Sequence, residues 1–166
     1  VLISKMHKGA ILSSCKKHRL QLWREWDSNL PKVLFIMLYP STADDQQDDP
    51  TLRRCIDFDK QWGFGGLYIG NLYSFRAADP KTLLKVSKFS HRDNYKHLVT
   101  MANQCQLVVC AWGNYPVIKK LGIPKNIFKY LEQNLHCLAL SKTSMPMHPL
   151  YLKKSLTPIP FSLEQD

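Results

Sequence analysis

The fold is decided by an unbroken apolar run, Val33-Leu34-Phe35-Ile36-Met37-Leu38, followed at once by Tyr39-Pro40-Ser41-Thr42. A strand with apolar residues at every position is typical of a parallel sheet that is covered on both faces. Leu107 to Ala111 has the same character, and two further runs, Leu67 to Gly70 and Leu135 to Leu140, resemble it. The sequence therefore predicts four buried strands.

Helical patterns separate these runs. Thr51 to Trp62 follows Asp48-Asp49-Pro50, an acidic cap with Pro in the first turn, and His91 to Cys105 predicts a longer helix. Shorter helices are predicted at 116–121 and 124–134. Because parallel strands need crossover connections, the alternation predicts a three-layer α/β/α sandwich with a mainly parallel four-stranded central sheet.

The flanking segments carry weaker signals. Leu20 to Trp26 alternates apolar and polar residues, which predicts a half-exposed strand, and the proline-rich stretch 157–160 predicts an extended surface tail. There is no internal repeat or low-complexity segment. Residues 1–166 are therefore expected to form a single domain, for which the length suffices.

The charge balance of the chain indicates which class of partner to expect. Lys and Arg number 23 against 13 Asp and Glu, a formal net charge of +10. A polyanion is the natural partner, and nucleic acid is favoured over a membrane because no basic amphipathic helix stands out. The alternative is a basic protein with an ordinary solvated surface. No feature indicates an obligate protein partner, and a monomer is expected.

The cysteines bear on the compartment. Five cysteines, with no C-x-x-C pair and no Cys/His grouping at zinc spacing, predict no disulfide, no metal site and no iron–sulfur cluster. Cys110 and Cys137 lie in apolar runs, where a thiol behaves as a small core residue. Lys5, His7 and Lys8 interrupt the first twelve residues, so neither a signal peptide nor a membrane span is expected there. A cytoplasmic protein is expected.

Four short polar motifs follow apolar runs: Tyr39-Pro40-Ser41-Thr42, Asn71 to Arg76, Trp112-Gly113-Asn114 and His148-Pro149-Leu150-Tyr151. In an open parallel sheet, loops at the carboxyl ends of the strands meet in one crevice. These motifs are therefore expected to form one site, and the chain is interpreted as an enzyme.

In this order the motifs resemble the uracil-DNA glycosylase superfamily, in which a Pro-containing catalytic loop, a base-reading Asn, Trp-Gly and His-Pro follow successive strands. The matching segments are Val33 to Pro40, Tyr68 to Asn71, Val108 to Lys120 and His148 to Leu152. The chain is also similar, nearly end to end, to an uncharacterised family of bacterial and phage domains with Pro-Ser-Thr-Ala-Asp, Trp-Gly and His-Pro-Leu-Tyr-Leu motifs.

The superfamily resemblance implies roles for single residues. Asn71 would read the base through its amide, His148 would donate a hydrogen bond to the departing base, and Leu152 would fill the hole left by the flipped nucleotide. Tyr39 and Ser41 would line the base pocket. The alternatives are an Asn that ends a strand, a His in a surface turn and a Leu that packs a terminal helix.

Two departures from the superfamily pattern matter. The best-known uracil enzymes have a water-activating Asp where this chain has Tyr39, whose phenol titrates near ~10. Asp44 and Asp45 are the nearest candidates to orient water, or they cap the following helix. The uracil enzymes also have a Tyr that excludes a C5 methyl group where this chain has Ser41, so a pyrimidine with a C5 substituent is expected.

Phosphate contacts are expected from hydroxyl and cationic side chains near the same loops. They are Thr42, Ser74, Arg76, Lys119 and Lys153. Each of these residues is alternatively an ordinary solvated surface residue.

The resemblance as a whole implies a monofunctional DNA glycosylase that needs no cofactor. It would hydrolyse the N-glycosidic bond of a flipped, C5-modified pyrimidine and leave an abasic site, as antiviral defence against phages with modified genomes or as DNA repair. The alternatives are a noncatalytic DNA-binding module on the same scaffold and a hydrolase of free nucleosides or nucleotides.

Overall fold

The computed structural model describes residues 6–86, 89–131 and 133–163. Within these residues the chain forms seven strands: β1 (His7–Leu12), β2 (Arg19–Glu25), β3 (Lys32–Met37), β4 (Gly66–Asn71), β5 (Leu107–Cys110), β6 (Leu135–Cys137) and β7 (Ile159–Pro160). The α-helices are α1 (Pro50–Gln61), α2 (Asn94–Asn103) and α3 (Val117–Leu121). Short 3-10 helices span Pro80–Lys85, Lys125–Tyr130 and Pro149–Tyr151.

The described strands form one sheet in the order β1-β2-β4-β3-β5-β6-β7. The strands β4, β3, β5 and β6 run parallel, with Val33 of β3 beside both Leu67 and Leu107. The predicted α/β class is confirmed, but the prediction of four strands is wrong. The strands β1, β2 and β7 add antiparallel pairs at the edges, and β7 belongs to the segment that predicted a surface tail.

Helices cover both faces of the sheet, which explains the unbroken apolar run of β3. Val33, Phe35 and Met37 face α1, whereas Leu34 and Ile36 face the side of α2, and all five are buried. Full burial of such a side chain contributes about 1.5–3 kcal/mol relative to exposure. The core therefore has two halves with β3 between them.

The helix bounds differ moderately from prediction. The first predicted helix corresponds to α1 and the second to α2, which is shorter than expected. The stretch 124–134 forms a 3-10 helix at Lys125–Tyr130, and residue 132 lies outside the described residues. Residues 1–5, which belong to the segment where no signal peptide is expected, also lie outside the described residues. None of the described helices is long and apolar enough to cross a membrane.

Strand β2 is buried, not half-exposed as predicted. It lies between β1 and β4, so that Gln21 is 7% exposed and Arg24 is 0% exposed. The Arg24 guanidinium donates to Asp48 at 2.9 Å and to the backbone carbonyl groups of Trp23, Asp44 and Gln47. Because these acceptors compensate the buried charge, a polar residue occupies a core position here.

A second buried charge-bearing group lies on α1. Asp59 is 0% exposed, and neither of its carboxylate oxygens accepts a hydrogen bond from any described residue. Burial raises the pKa of Asp59 to about 9. The carboxyl group is therefore protonated at neutral pH in the folded protein.

We expect the free energy of unfolding to fall as pH rises from about 4 to about 9 because of Asp59. In the unfolded chain an Asp titrates near ~3.9, so over this range folding requires uptake of one proton, with a limiting slope of about 1.4 kcal/mol per pH unit. Asp59→Asn should remove this contribution, as measured by urea unfolding at several pH values. The control is Asp57→Asn, an exposed position on the same helix. An unchanged pH slope in Asp59→Asn would contradict the assignment.

Candidate functional site

A pocket of about 160 Å³ opens at the carboxyl ends of the parallel strands. It is lined by residues of several segments: Tyr39 and Ser41 after β3, Asn71 at the end of β4, Tyr115 after β5, His148 and Leu150 near the last 3-10 helix, Arg19 of β2 and Asp49 before α1. The structure thus brings together residues of three of the four predicted motifs, whereas the motif Trp112-Gly113-Asn114 is represented only by its neighbour Tyr115.

Asn71 presents an unused amide to this pocket. The residue is 2% exposed, and its Oδ1 atom has no hydrogen-bond partner among the described residues. Its backbone carbonyl group accepts a hydrogen bond from Asn94 Nδ2 at 2.8 Å, which fixes the end of β4. A buried acceptor left without a partner costs about 1–3 kcal/mol. A ligand that enters the pocket can supply the missing donor.

His148 presents a hydrogen-bond donor. Its Nδ1 atom accepts from the Leu150 backbone N–H at 3.2 Å, so the neutral ring carries its proton on Nε2. Burial lowers the pKa of His148, and Asp49 opposes this shift, so the ring is neutral at pH 7. Gly113 has a φ of +78°, and an added Cβ there would lie 3.0 Å from the Tyr115 ring and 3.4 Å from His148 Cβ. The Trp-Gly motif therefore lets the Tyr115 ring, which contacts His148, pack closely against the backbone.

Two tyrosines form an aromatic wall. The rings of Tyr39 and Tyr115 meet edge to face with centroids 6.2 Å apart, and Tyr115 meets the His148 ring at 6.4 Å. Burial raises the pKa of Tyr39 to about 12, with a smaller contribution from Tyr115. The phenol of Tyr39 therefore stays protonated and does not act as a base at neutral pH.

The carboxylate that faces the pocket is Asp49, which the sequence indicated only as a helix cap. Its Oδ1 atom accepts from the Leu52 backbone N–H at 2.8 Å and its Oδ2 atom accepts from Ser41 Oγ at 2.7 Å. It is 8% exposed. The side chain therefore caps α1 and fixes the loop after β3 at the same time.

The structure does not bring Asp44 and Asp45 to the pocket. Asp44 Oδ1 accepts from the backbone N–H groups of Gln46 and Gln47, and these bonds lower the pKa of Asp44. Asp45 is exposed beside Gln46. Asp44 therefore closes a turn, and neither carboxylate is in position to orient water in the pocket.

The residues expected to contact phosphate differ in their burial. Thr42, Lys119 and Lys153 are exposed and Arg76 is half-buried, so all four can reach a ligand at the surface. Ser74, in contrast, is 0% exposed, and its hydroxyl group is bonded to His18 Nδ1 at 2.8 Å and to the His91 backbone N–H. Ser74 thus joins two segments of the chain and cannot contact phosphate.

The residue that projects beside the pocket is Tyr151. It is 93% exposed and ends the 3-10 helix Pro149–Tyr151, directly after the pocket residues His148 and Leu150. Leu152 is instead half-buried and packs against the core on the α1 side. The assignment of Leu152 as the wedge is therefore not supported, because its side chain is already used in packing.

Arg19 is the pocket residue for which the sequence carried no signal. It is 4% exposed, its Nη1 atom donates to the Ala43 carbonyl group at 2.8 Å, and its Nε atom lacks a partner among the residues described. Burial lowers the pKa of Arg19 to about 10, against an opposing effect of Asp49. The guanidinium remains charged at neutral pH.

Comparison with known proteins places the chain in a family. The model of the family described as "Protein of unknown function (DUF1643)" matches residues 19–150, about four fifths of the chain. The matched range runs from Arg19 to Leu150 and includes every residue that lines the pocket. No curated protein and no solved structure matches the chain. Because the match covers most of its length, the chain belongs to the DUF1643 family.

Proposed function

We propose that this protein is a DNA glycosylase that takes one flipped pyrimidine into the pocket and hydrolyses its N-glycosidic bond, leaving an abasic site. The observation that carries the proposal is the pairing of an unused buried amide, Asn71, with a neutral histidine donor, His148, in one small cavity. The first suits recognition of a base edge and the second suits stabilisation of a leaving base.

The size of the pocket favours a base over a whole nucleotide. Its volume is about 160 Å³, and a cavity of about 150 Å³ holds one benzene-sized ring. A pyrimidine ring fits such a space, while the sugar and its phosphates stay at the mouth. This size argues against a hydrolase that encloses a complete nucleotide.

The amide of Asn71 suits a pyrimidine edge. Its oxygen accepts one hydrogen bond and its nitrogen donates another, so two neighbouring groups of the base can be read together. Because Asn71 ends a central strand and its backbone carbonyl group accepts from Asn94, the backbone that carries the amide is fixed before the base arrives. Such preorganisation reduces the entropy cost of binding.

Cleavage of the glycosidic bond leaves its electron pair on the base and positive charge on the sugar. The Nε2–H group of His148 can donate to the base as negative charge develops there, and preorganised donors of this kind are among the largest contributions to catalysis. Water then adds its oxygen to the sugar carbon and releases a proton. Asp49 is the pocket carboxylate that can orient this water and stabilise the cationic sugar, since its oxygens retain free lone pairs.

Asn71→Ala and His148→Ala are each expected to lower base excision by about 100-fold or more, the usual effect of removing one such group. The assay uses DNA with uracil, mismatched thymine or C5-modified pyrimidines, followed by alkali and a denaturing gel. Asn114→Ala, an exposed position, and His136→Ala, on β6, are matched controls outside the pocket. Wild-type rates in both pocket variants would discard the site, and DNA binding without any abasic sites would indicate a noncatalytic module.

Tyr151→Ala is expected to lower excision from double-stranded DNA by about tenfold, with a smaller effect on single strands, because an inserted ring offsets the cost of unstacking. Leu152→Ala should instead lower the free energy of unfolding by about 1 kcal/mol or more, because a packed side chain is truncated. Single-turnover excision and urea unfolding of both variants separate the two roles. Equal excision by Tyr151→Ala and the wild type on duplex DNA would exclude Tyr151 as the wedge.

A further inference from the structure

Two arginines of β2 are buried in different ways. Arg24 is 0% exposed, and its guanidinium donates to the Asp48 carboxylate and to three backbone carbonyl groups. Arg19 is 4% exposed, yet one hydrogen bond, to the Ala43 carbonyl group, is its only side-chain bond to the described part of the chain. Arg24 is therefore a satisfied structural residue, whereas Arg19 is not.

The charge of Arg19 is also compensated only from a distance, by Asp49 and Asp44. No carboxylate of the described residues lies within 4.0 Å of its guanidinium, and the electrostatic influence of Asp49 comes from farther away. A buried cation that lacks partners is costly to maintain. Since Arg19 lines the pocket, a group of a bound ligand can supply the missing hydrogen-bond acceptor.

The topology fixes where Arg19 acts. Strand β4 lies between β2 and β3, and the Arg19 side chain reaches from β2 to Ala43 in the loop after β3. The side chain therefore lies near the carboxyl end of β4, where Asn71 lines the same pocket. A pyrimidine whose 3- and 4-positions face the Asn71 amide can then direct its 5-substituent toward Arg19.

We propose that Arg19 determines substrate specificity by binding an oxygen-bearing substituent at the C5 position of the pyrimidine, with a carboxylate bound most tightly. This inference rests on the proposed glycosylase function. A guanidinium matches a carboxylate in both geometry and charge and binds it through two parallel N–H donors. Ser41 is a small residue whose hydroxyl group is held by Asp49, and so leaves space at this wall. Because Asp49 repels an anion, the substrate carboxylate must contact the guanidinium directly.

The test compares oligonucleotides that carry one pyrimidine with a C5 methyl, hydroxymethyl or carboxyl group. Wild-type protein should excise the carboxylated base about tenfold faster than the methylated one, since a hydrogen bond between charged groups is stronger than a contact with a methyl group. Arg19→Gln should bring this ratio close to one, and Arg19→Lys should retain part of it. The ratio is independent of the fraction of variant protein that folds. Arg54→Gln, a half-buried arginine of α1 outside the pocket lining, is the control.

Binding of free bases separates failure of this inference from failure of the proposed function. Calorimetry with 5-carboxyuracil and thymine should show tighter binding of the carboxylated base to the wild type, and no such preference in Arg19→Gln. Preference without excision would support the Arg19 assignment and reject the glycosylase. Excision with a ratio that Arg19→Gln leaves unchanged would reject the assignment alone. Absence of both excision and base binding would reject both.

Discussion

The Asp49 carboxylate joins the start of α1 to the loop after β3, and the pocket depends on this junction. One oxygen caps the helix through the Leu52 N–H and the other holds Ser41. The same charge opposes the effect of burial on the pKa of Arg19 and of His148. A single side chain thus couples helix formation, loop conformation and pocket electrostatics, so changes at Asp49 cannot affect one of these properties alone.

The central strands could be predicted from the sequence because a short, unbroken apolar run bounded by polar residues is typical of a strand buried on both faces. The edge strands could not, because β1 mixes exposed and buried positions and β7 has only two residues. The burial of β2 could not be predicted either. Its alternation indicates a half-exposed strand, and only the fold brings Asp48 and the backbone carbonyl groups of a distant loop to Arg24 and so makes a core position possible for an arginine.

The convergence of the motifs could be predicted from topology, but the choice between neighbouring side chains could not. Asp44, Asp45 and Asp49 lie in one loop, and turn geometry decides which of them faces the pocket: Asp44 is used to close the turn at Gln46 and Gln47. Likewise, a short 3-10 helix turns Tyr151 outward and leaves Leu152 against the core. A difference of one residue changes the direction of a side chain, and sequence spacing alone does not fix that difference.

Buried polar groups that lack hydrogen-bond partners have different consequences in different parts of this molecule. Asp59, on the buried side of α1, relieves its own burial by keeping a proton, as its pKa of about 9 indicates. The amide of Asn71 and the guanidinium of Arg19 cannot reduce the cost of their burial in this way, because neither changes its protonation state near neutral pH. Both groups therefore keep a buried atom without a hydrogen-bond partner until a ligand binds, and both line the same pocket. The free energy that their burial costs is offset when a complementary ligand binds, which makes this pair the strongest physical argument for ligand recognition in the fold.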